Sequence, residues 1–120
     1  MLNALDEMLA RLRADNGLDL AAVSADGLLV GADAAEGLDA ETVCTTAGDW
    51  HLMMSAYGAE LDAGDPAMLT IEFAHGTVHV TALEHGAILI LVSNHVVNLG
   101  RLRAAARRFQ AQYAETLVAA

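Results

Sequence analysis

The chain has 120 residues, the size of one domain, and a formal net charge of −10 at pH 7. Sixteen acidic residues oppose six basic ones, and all six are arginines that lie before Ala14 or after Gly100. Such a chain repels phosphate groups, so nucleic acid and an anionic membrane surface are disfavoured as partners. The absence of lysine argues against the phosphate-binding loop of nucleotide hydrolases and against Schiff-base chemistry.

Cysteine usage and hydropathy indicate the compartment. Cys44 is the only cysteine, so an intrachain disulfide is ruled out, which fits a reducing environment. The longest apolar run, Ala87 to Val92, is too short to cross a bilayer. Asp6 and Glu7 lie where a signal peptide would have its apolar segment, so the sequence does not resemble one. We therefore expect one cytoplasmic domain over residues 1–120.

The first two elements are a helix and a hairpin. An apolar stripe at steps of three and four predicts an amphipathic helix that ends at Asn16-Gly17, where both residues tolerate a left-handed backbone. The stripe consists of Leu2, Leu5, Leu9 and Leu12. The pair Asp26-Gly27 then separates the short apolar runs Leu20 to Ala25 and Leu28 to Gly31, and this pattern predicts two strands joined by a tight turn.

A long helix follows, with more apolar residues than one face can bury. Asp39 is the predicted N-cap, and the helix runs from about Ala40 to Asp62 before the only proline, Pro66. One stripe at steps of three and four comprises Val43, Ala47, Trp50, Met54, Tyr57 and Leu61. Leu52, Met53 and Ala56 lie off this stripe. The pattern alone leaves core and interface equally supported for the densest group, which is Trp50, Met53, Met54 and Tyr57.

Three strands and a second surface helix complete the chain. The segments "AMLTIEFA" and "TVHVTALE" alternate, whereas "AILILVS" is apolar on both sides and is predicted to be a central strand covered on both faces. The last segment repeats apolar residues at steps of three and four from Leu99 to Leu117. The predicted order is α-β-β-α-β-β-β-α, an α/β fold with a five-stranded, mainly antiparallel sheet between helices.

Residues that could carry catalysis or bind a metal have no supporting arrangement in the sequence. Packing is the favoured role of Cys44, although His51 lies two turns away in the same helix. The histidines are predicted at the surface or rim; a metal site built from His75, His79 and a nearby glutamate is the disfavoured alternative. The carboxylates lie in no recognisable catalytic motif. We expect no catalytic residue, no metal and no cofactor.

The order of elements, together with three segments, resembles the roadblock family of dynein light chain-like domains. The segments are the hairpin "GLDLAAVSADGLLVGAD", the strand "GAILILVS" that ends the three-strand run, and "NLGRLRAAARRF" at the start of the last helix. The resemblance covers nearly the whole chain. It implies a five-stranded antiparallel sheet between helices and pairing of two copies through the 40–62 helix and the 67–74 strand. Gly48 and Gly58 would then let the paired helices approach closely.

The resemblance also implies a function. Bacterial members of the family regulate or scaffold Ras-like small GTPases, which predicts a non-enzymatic homodimer that binds such a GTPase. The implied dimer interface comprises Val43, Ala47, Trp50, Met53, Met54, Tyr57, Leu61, Leu69 and Ile71. The exposed candidates for contact with the GTPase are Asp49, Ser55 and Glu60. Two alternatives remain, an assembly scaffold without nucleotide dependence and a small-ligand sensor or enzyme.

Overall fold

The computed structural model describes residues 3–119, so Leu2 of the predicted first stripe lies outside the described residues. Three helices and five strands follow the predicted order, with a short 3-10 turn at Glu84–Gly86 before the last strand. The helices are α1 (Ala4–Asn16), α2 (Ala40–Glu60) and α3 (Leu99–Ala119). The strands are β1 (Leu20–Ala25), β2 (Leu28–Ala34), β3 (Met68–Phe73), β4 (Gly76–Ala82) and β5 (Ala87–Ser93).

The strands form one sheet in the order β2-β1-β5-β4-β3, and each neighbouring pair is antiparallel. β5 is the middle strand, and six of its seven residues are buried. This confirms the prediction from its unbroken apolar run, because a strand covered on both faces needs apolar side chains on both. β2 extends three residues beyond the predicted Gly31, and β3 lies at the opposite edge of the sheet.

A separate core lies on each face of the sheet. α1 and α3 cover one face, where Leu9, Leu12, Leu102 and Phe109 pack on apolar residues of β1 and β5. α2 covers part of the other face through a smaller core. The sheet is therefore the middle layer of three, as predicted, and its two faces are covered to different extents.

Local hydrogen bonds set the ends of the helices. The Asn3 side chain accepts from the Asp6 N–H at the start of α1, and Gly17 ends that helix with φ +60°. The Asp39 side chain accepts from the Thr42 N–H and hydroxyl, which lowers the pKa of its carboxyl. In the β1–β2 turn, both Asp26 and Gly27 have positive φ, as the predicted tight turn requires.

The length and hydropathy of the helices also bear on membrane insertion. Across residues 3–119, no helix is long and apolar enough to span a bilayer.

Candidate functional site

In a single subunit, most of the length of α2 is not covered by other elements of the fold. It has 21 residues, but only Cys44 and Ala47 are buried, and both lie in its first half. These two pack with Leu20, Val80 and Ile90 in the smaller core. Helices in globular proteins gain most of their stability by burying an apolar face. The second half of α2, in which no residue is fully buried, therefore lacks the packing that would normally stabilise it.

Apolar side chains in this second half face solvent. Three of them, Leu52, Met53 and Tyr57, are more than half exposed. Leu61, the residue that follows the helix, is also more than half exposed. Isolated exposed apolar residues are ordinary, but several on one helix mark a surface that binds a partner.

The edge strand β3 continues this apolar surface. Leu69 and Ile71 pair with Val80 and Val78 of β4, so they lie on the face of the sheet that α2 only partly covers. Phe73, on the same side of the strand, is more than half exposed. In the sheet of residues 3–119, β3 pairs with β4 alone, so its other edge is open. An open edge beside exposed apolar side chains is suited to strand addition.

The helix flank and the edge strand touch at a pair of aromatic rings. The centroids of Trp50 and Phe73 lie 6.3 Å apart, with the ring planes at 34°. We call the combined region the α2–β3 surface. It comprises Trp50, Met53, Met54, Tyr57, Leu61, Leu69, Ile71 and Phe73.

Charge is divided between the two layers of helices. All six arginines lie on α1 and α3, together with four acidic residues. The other twelve acidic residues lie in the rest of the chain, which has no lysine or arginine. The helix and strand of the α2–β3 surface carry Glu41, Asp49, Glu60 and Glu72, so a positively charged partner would be attracted there.

A sequence model described as the Roadblock/LC7 domain matches residues 4–93. The chain belongs to the Roadblock/LC7 domain family. The match includes all five strands and both α1 and α2, and thus the whole α2–β3 surface.

Solved structures share the fold of this roadblock domain at low sequence identity. Myxococcus xanthus MglB is 12% identical with a TM-score of 0.88, over 99% of this chain and 94% of that chain. A Roadblock/LC7 domain from Streptomyces avermitilis is 16% identical with a TM-score of 0.87, over 97% and 99% of the two chains. A second roadblock structure from that organism is 26% identical with a TM-score of 0.71, over 92% and 99%. A comparison with curated proteins finds no match.

The residues predicted for the dimer interface differ in the solvent exposure of their side chains. Met53, Tyr57 and Leu61 are exposed, whereas Val43, Trp50, Met54, Leu69 and Ile71 are half-buried. The prediction that Ala47 lies in the interface needs correction. Its side chain lies beneath the helix in the core of its own subunit, with 1% of its surface exposed. Phe73 was missed, although the alternation of its strand places it on the same face as Leu69 and Ile71.

Two further expectations about α2 need correction. Of the candidates for GTPase contact, Asp49 and Glu60 are exposed, but Ser55 is half-buried. Gly58 is explained within the subunit, because a Cβ there would collide with the carbonyl oxygen of Gly64. The chain after α2 folds back over this position, and the Ala63 N–H donates to the Gly58 carbonyl at 2.8 Å. Close approach of a second helix is not needed to account for this glycine.

Cys44 is buried, as expected for a packing residue. Burial raises the pKa of its thiol to about 11, because the thiolate would lose its hydration in the core. The thiol is therefore protonated at neutral pH and is a poor nucleophile.

His79 is fully buried, which corrects the expectation of a surface or rim position. Its side chain lies on the face covered by α1 and α3, and both ring nitrogens have partners. Thr70 Oγ1 lies 2.7 Å from Nδ1, and Thr81 Oγ1 lies 2.7 Å from Nε2. Burial, and secondarily the positive charge of Arg103, lowers the pKa of His79 to about 4. The neutral ring thus links the edge strand β3 to β4.

Metal-ligating side chains do not converge in the part of the chain that the structure describes. No group of three or more His, Cys, Asp or Glu residues is placed to hold an ion across residues 3–119. Of the two histidines in the disfavoured alternative site, His79 instead makes its hydrogen bonds to threonines.

Proposed function

We propose that this roadblock domain is a non-enzymatic homodimer that regulates a Ras-like small GTPase. The observation that carries the proposal is the α2–β3 surface, which leaves apolar side chains of a long helix exposed beside an open strand edge. The resemblance to bacterial roadblock proteins supplies the class of partner, because it implies regulation or scaffolding of a Ras-like small GTPase.

In the proposed dimer, the α2 helices of two subunits lie against each other and their β3 strands join two sheets into one. Burial of Tyr57 and Leu61, both more than half exposed in the single subunit, would supply the driving force. Each fully buried apolar side chain of this size contributes about 1.5–3 kcal/mol. Addition of β3 to a second β3 would satisfy its free backbone groups.

The GTPase would dock across the paired α2 helices, where Asp49 and Glu60 remain exposed. An arginine finger raises the rate of GTP hydrolysis by ~10³–10⁵. α2 carries no arginine or lysine, and the arginines of α3 lie on the other face of the sheet. Any acceleration of hydrolysis would therefore come from repositioning the switch loops of the GTPase itself.

A nucleotide-dependent pull-down tests this function. Immobilised domain is incubated with native lysate that contains GDP or a non-hydrolysable GTP analogue, and small GTPases in the eluate are quantified by mass spectrometry. A regulator retains one GTPase in one nucleotide state. Equal retention in both states supports the alternative of an assembly scaffold and contradicts regulation. Absence of any small GTPase from the eluate also contradicts regulation, and it leaves the assembly scaffold as the remaining interpretation of the α2–β3 surface.

A further inference from the structure

A groove runs between α1 and α3, on the opposite side of the sheet from the α2–β3 surface. Its volume is about 640 Å³, and we call it the α1–α3 groove. The residues that line it extend along α1 from Ala4 to Asn16 and along α3 from Arg101 to Gln112. At a rise of 1.5 Å per residue, each wall is about 17 Å long, or about three helical turns. The groove therefore has the length of a peptide segment, which exceeds what one small ion needs.

The floor of the groove is apolar but belongs to the core of the subunit. Leu12, Ala105 and Phe109 line it, and each is at most 8% exposed. Met8 is half-buried. Since these side chains expose little apolar surface, they would add little to the binding of a ligand. Recognition in this groove must depend on the charged side chains at its rims.

Three arginines line the groove from both walls. Arg11 lies on α1, and Arg101 and Arg108 lie on α3. Arg101 Nη2 donates to a backbone carbonyl of α1 at 3.4 Å, so this side chain closes one end of the groove. Across residues 3–119, the only ion pair within 4 Å joins Arg13 to Asp33. The exposed guanidinium groups of Arg11 and Arg108 are thus available to an anionic group from outside the chain.

Carboxylates near the groove do not neutralise these arginines. Glu7 and Asp15 line the groove one turn before and one turn after Arg11, but neither lies within 4 Å of its guanidinium. The α3 wall has no carboxylate, because Glu115 is the only acidic residue of α3 and lies beyond the groove. The α3 side of the groove is therefore positive, in a chain whose formal net charge is −10.

Acidic residues on the α2 side of the sheet affect the groove only weakly. The smallest extent of the fold is 26 Å, and the two layers of helices lie on opposite faces of the sheet. At physiological ionic strength, charges on a protein surface are screened over about 8 Å. An incoming anion near α3 therefore responds mainly to the arginines there.

An anionic membrane surface fits this face less well than a protein does. Helices that bind membranes insert exposed, large apolar side chains beside their basic residues. Among the side chains described for residues 3–117, none of the large apolar ones that are more than half exposed lies on α1 or α3.

We propose that the α1–α3 groove binds an acidic helical segment of a second partner protein. Arg11 on one wall and Arg108 on the other donate charge-assisted hydrogen bonds to its carboxylates, and the length of the groove accommodates about three turns of it. The proposed dimer pairs through the other side of the sheet and would leave both copies of the groove open. The inference does not depend on the proposed function. If both hold, the domain links a GTPase on one side of the sheet to an acidic protein on the other.

A peptide titration tests the groove without the partner. The probe is a capped, alanine-based helical peptide of about 16 residues with glutamates at steps of three and four along one face. The control peptide has glutamine at these positions. Each is added at pH 6.5 and low salt to the ¹⁵N-labelled full chain, and amide and arginine Nε–H resonances are followed by NMR.

The glutamate peptide should cause saturable shifts at the Nε–H groups of Arg11 and Arg108. Binding should weaken by about tenfold when NaCl is raised to about 0.3 M, because the attraction is between exposed charges. The glutamine peptide should cause no shift, since it lacks the charge that the arginines attract.

Matched double variants locate the binding. Arg11→Gln with Arg108→Gln should weaken binding of the glutamate peptide by about tenfold or more. Arg103→Gln with Arg107→Gln removes the same charge from exposed positions of α3 that do not line the groove, and it should keep the affinity within about twofold. The amide spectrum of each variant shows whether the chain stays folded.

The absence of a saturable shift with the glutamate peptide would overturn the inference, as would equal shifts with the glutamine peptide. Equal loss of affinity in the two double variants would also overturn it, because the overall charge of α3 would then account for binding. Shifts of the same size with sodium glutamate, at an equal concentration of carboxylate, would assign the groove to free anions and contradict a bound segment. None of these results bears on the proposed function, since no GTPase is present.

Discussion

Trp50 of α2 lies beside Phe73 of β3, with 6.3 Å between ring centroids. This contact joins a helix flank to an edge strand on the part of the sheet that α2 covers only partly. Trp50 is half-buried, and Phe73 is more than half exposed. The two rings are therefore part of the subunit's own packing and also part of the surface that a second copy would cover.

Tyr57→Asp should convert the proposed dimer to a monomer. Tyr57 is more than half exposed in the single subunit, so its loss removes little from the subunit's own core. In the dimer, the new carboxylate would be buried without a partner, which costs several kcal/mol. Sedimentation equilibrium or light scattering gives the solution mass.

Val96→Asp is the matched control for this change. Val96 is also an exposed apolar residue, at 88%, but it lies outside the α2–β3 surface in the loop before α3. Its replacement should leave the mass of the proposed dimer unchanged. A wild-type chain that has the mass of one subunit at high concentration would contradict the dimer altogether.

Arg101→Ala and Arg107→Ala should leave any stimulation of GTP hydrolysis unchanged. Both arginines are on α3, which packs on the opposite face of the sheet from α2. The measurement is single-turnover GTP hydrolysis by the cognate GTPase with each variant. Loss of stimulation in either variant would show that an arginine acts directly and would exclude the indirect mechanism.

The two glycines of α2 should respond oppositely to alanine. Gly58→Ala forces a Cβ against the Gly64 carbonyl and should destabilise the chain by about 1–3 kcal/mol. Gly48→Ala meets no atom within 4 Å and should stabilise it by about 1 kcal/mol through helix propensity. Chemical denaturation of both variants provides the comparison, and equal signs would refute the account of Gly58.

His79 should make stability depend on pH between about 4 and 6.5. Its pKa is lowered in the folded state to about 4 from an ordinary value of 6.5, so the unfolded chain binds the proton more readily. The stabilisation is fully present above pH 6.5 and is lost as pH falls through this window, by up to about 3 kcal/mol. Urea denaturation at several pH values measures the slope.

His79→Gln keeps a polar side chain at this position but cannot titrate. The variant should lose that part of the pH slope even if it is less stable at every pH. An unchanged slope in His79→Gln would assign the effect to other groups.

Cys44 should resist alkylation in the folded chain. It is buried, and its thiol has a pKa of about 11, so little thiolate exists at pH 7.5. Iodoacetamide should modify it in urea but not in buffer, as measured by intact mass. Rapid modification in buffer would instead indicate an activated nucleophile near His51.

The order of elements could be predicted from the sequence because it depends on local patterns. Asp26-Gly27 specifies a turn with positive φ regardless of its surroundings. The unbroken apolar run of β5 required cover on both faces, and the structure places that strand at the centre of the sheet. The apolar excess of α2 was likewise visible, since its apolar residues occupy more than one side of the helix.

The tertiary structure decided which faces are covered. Alternation in β4 put His79 opposite Val78 and Val80, but only the packing of α1 and α3 on that face makes it fully buried. The space beside Gly58 is occupied by the Gly64 carbonyl. Gly64 lies after the helix, so the periodicity of α2 could not predict this contact. Ala47 and Tyr57 belong to the same sequence stripe, yet one is core and the other is exposed. Periodicity fixes the direction of a side chain on its own helix, whereas burial depends on how far the neighbouring layer extends beneath it.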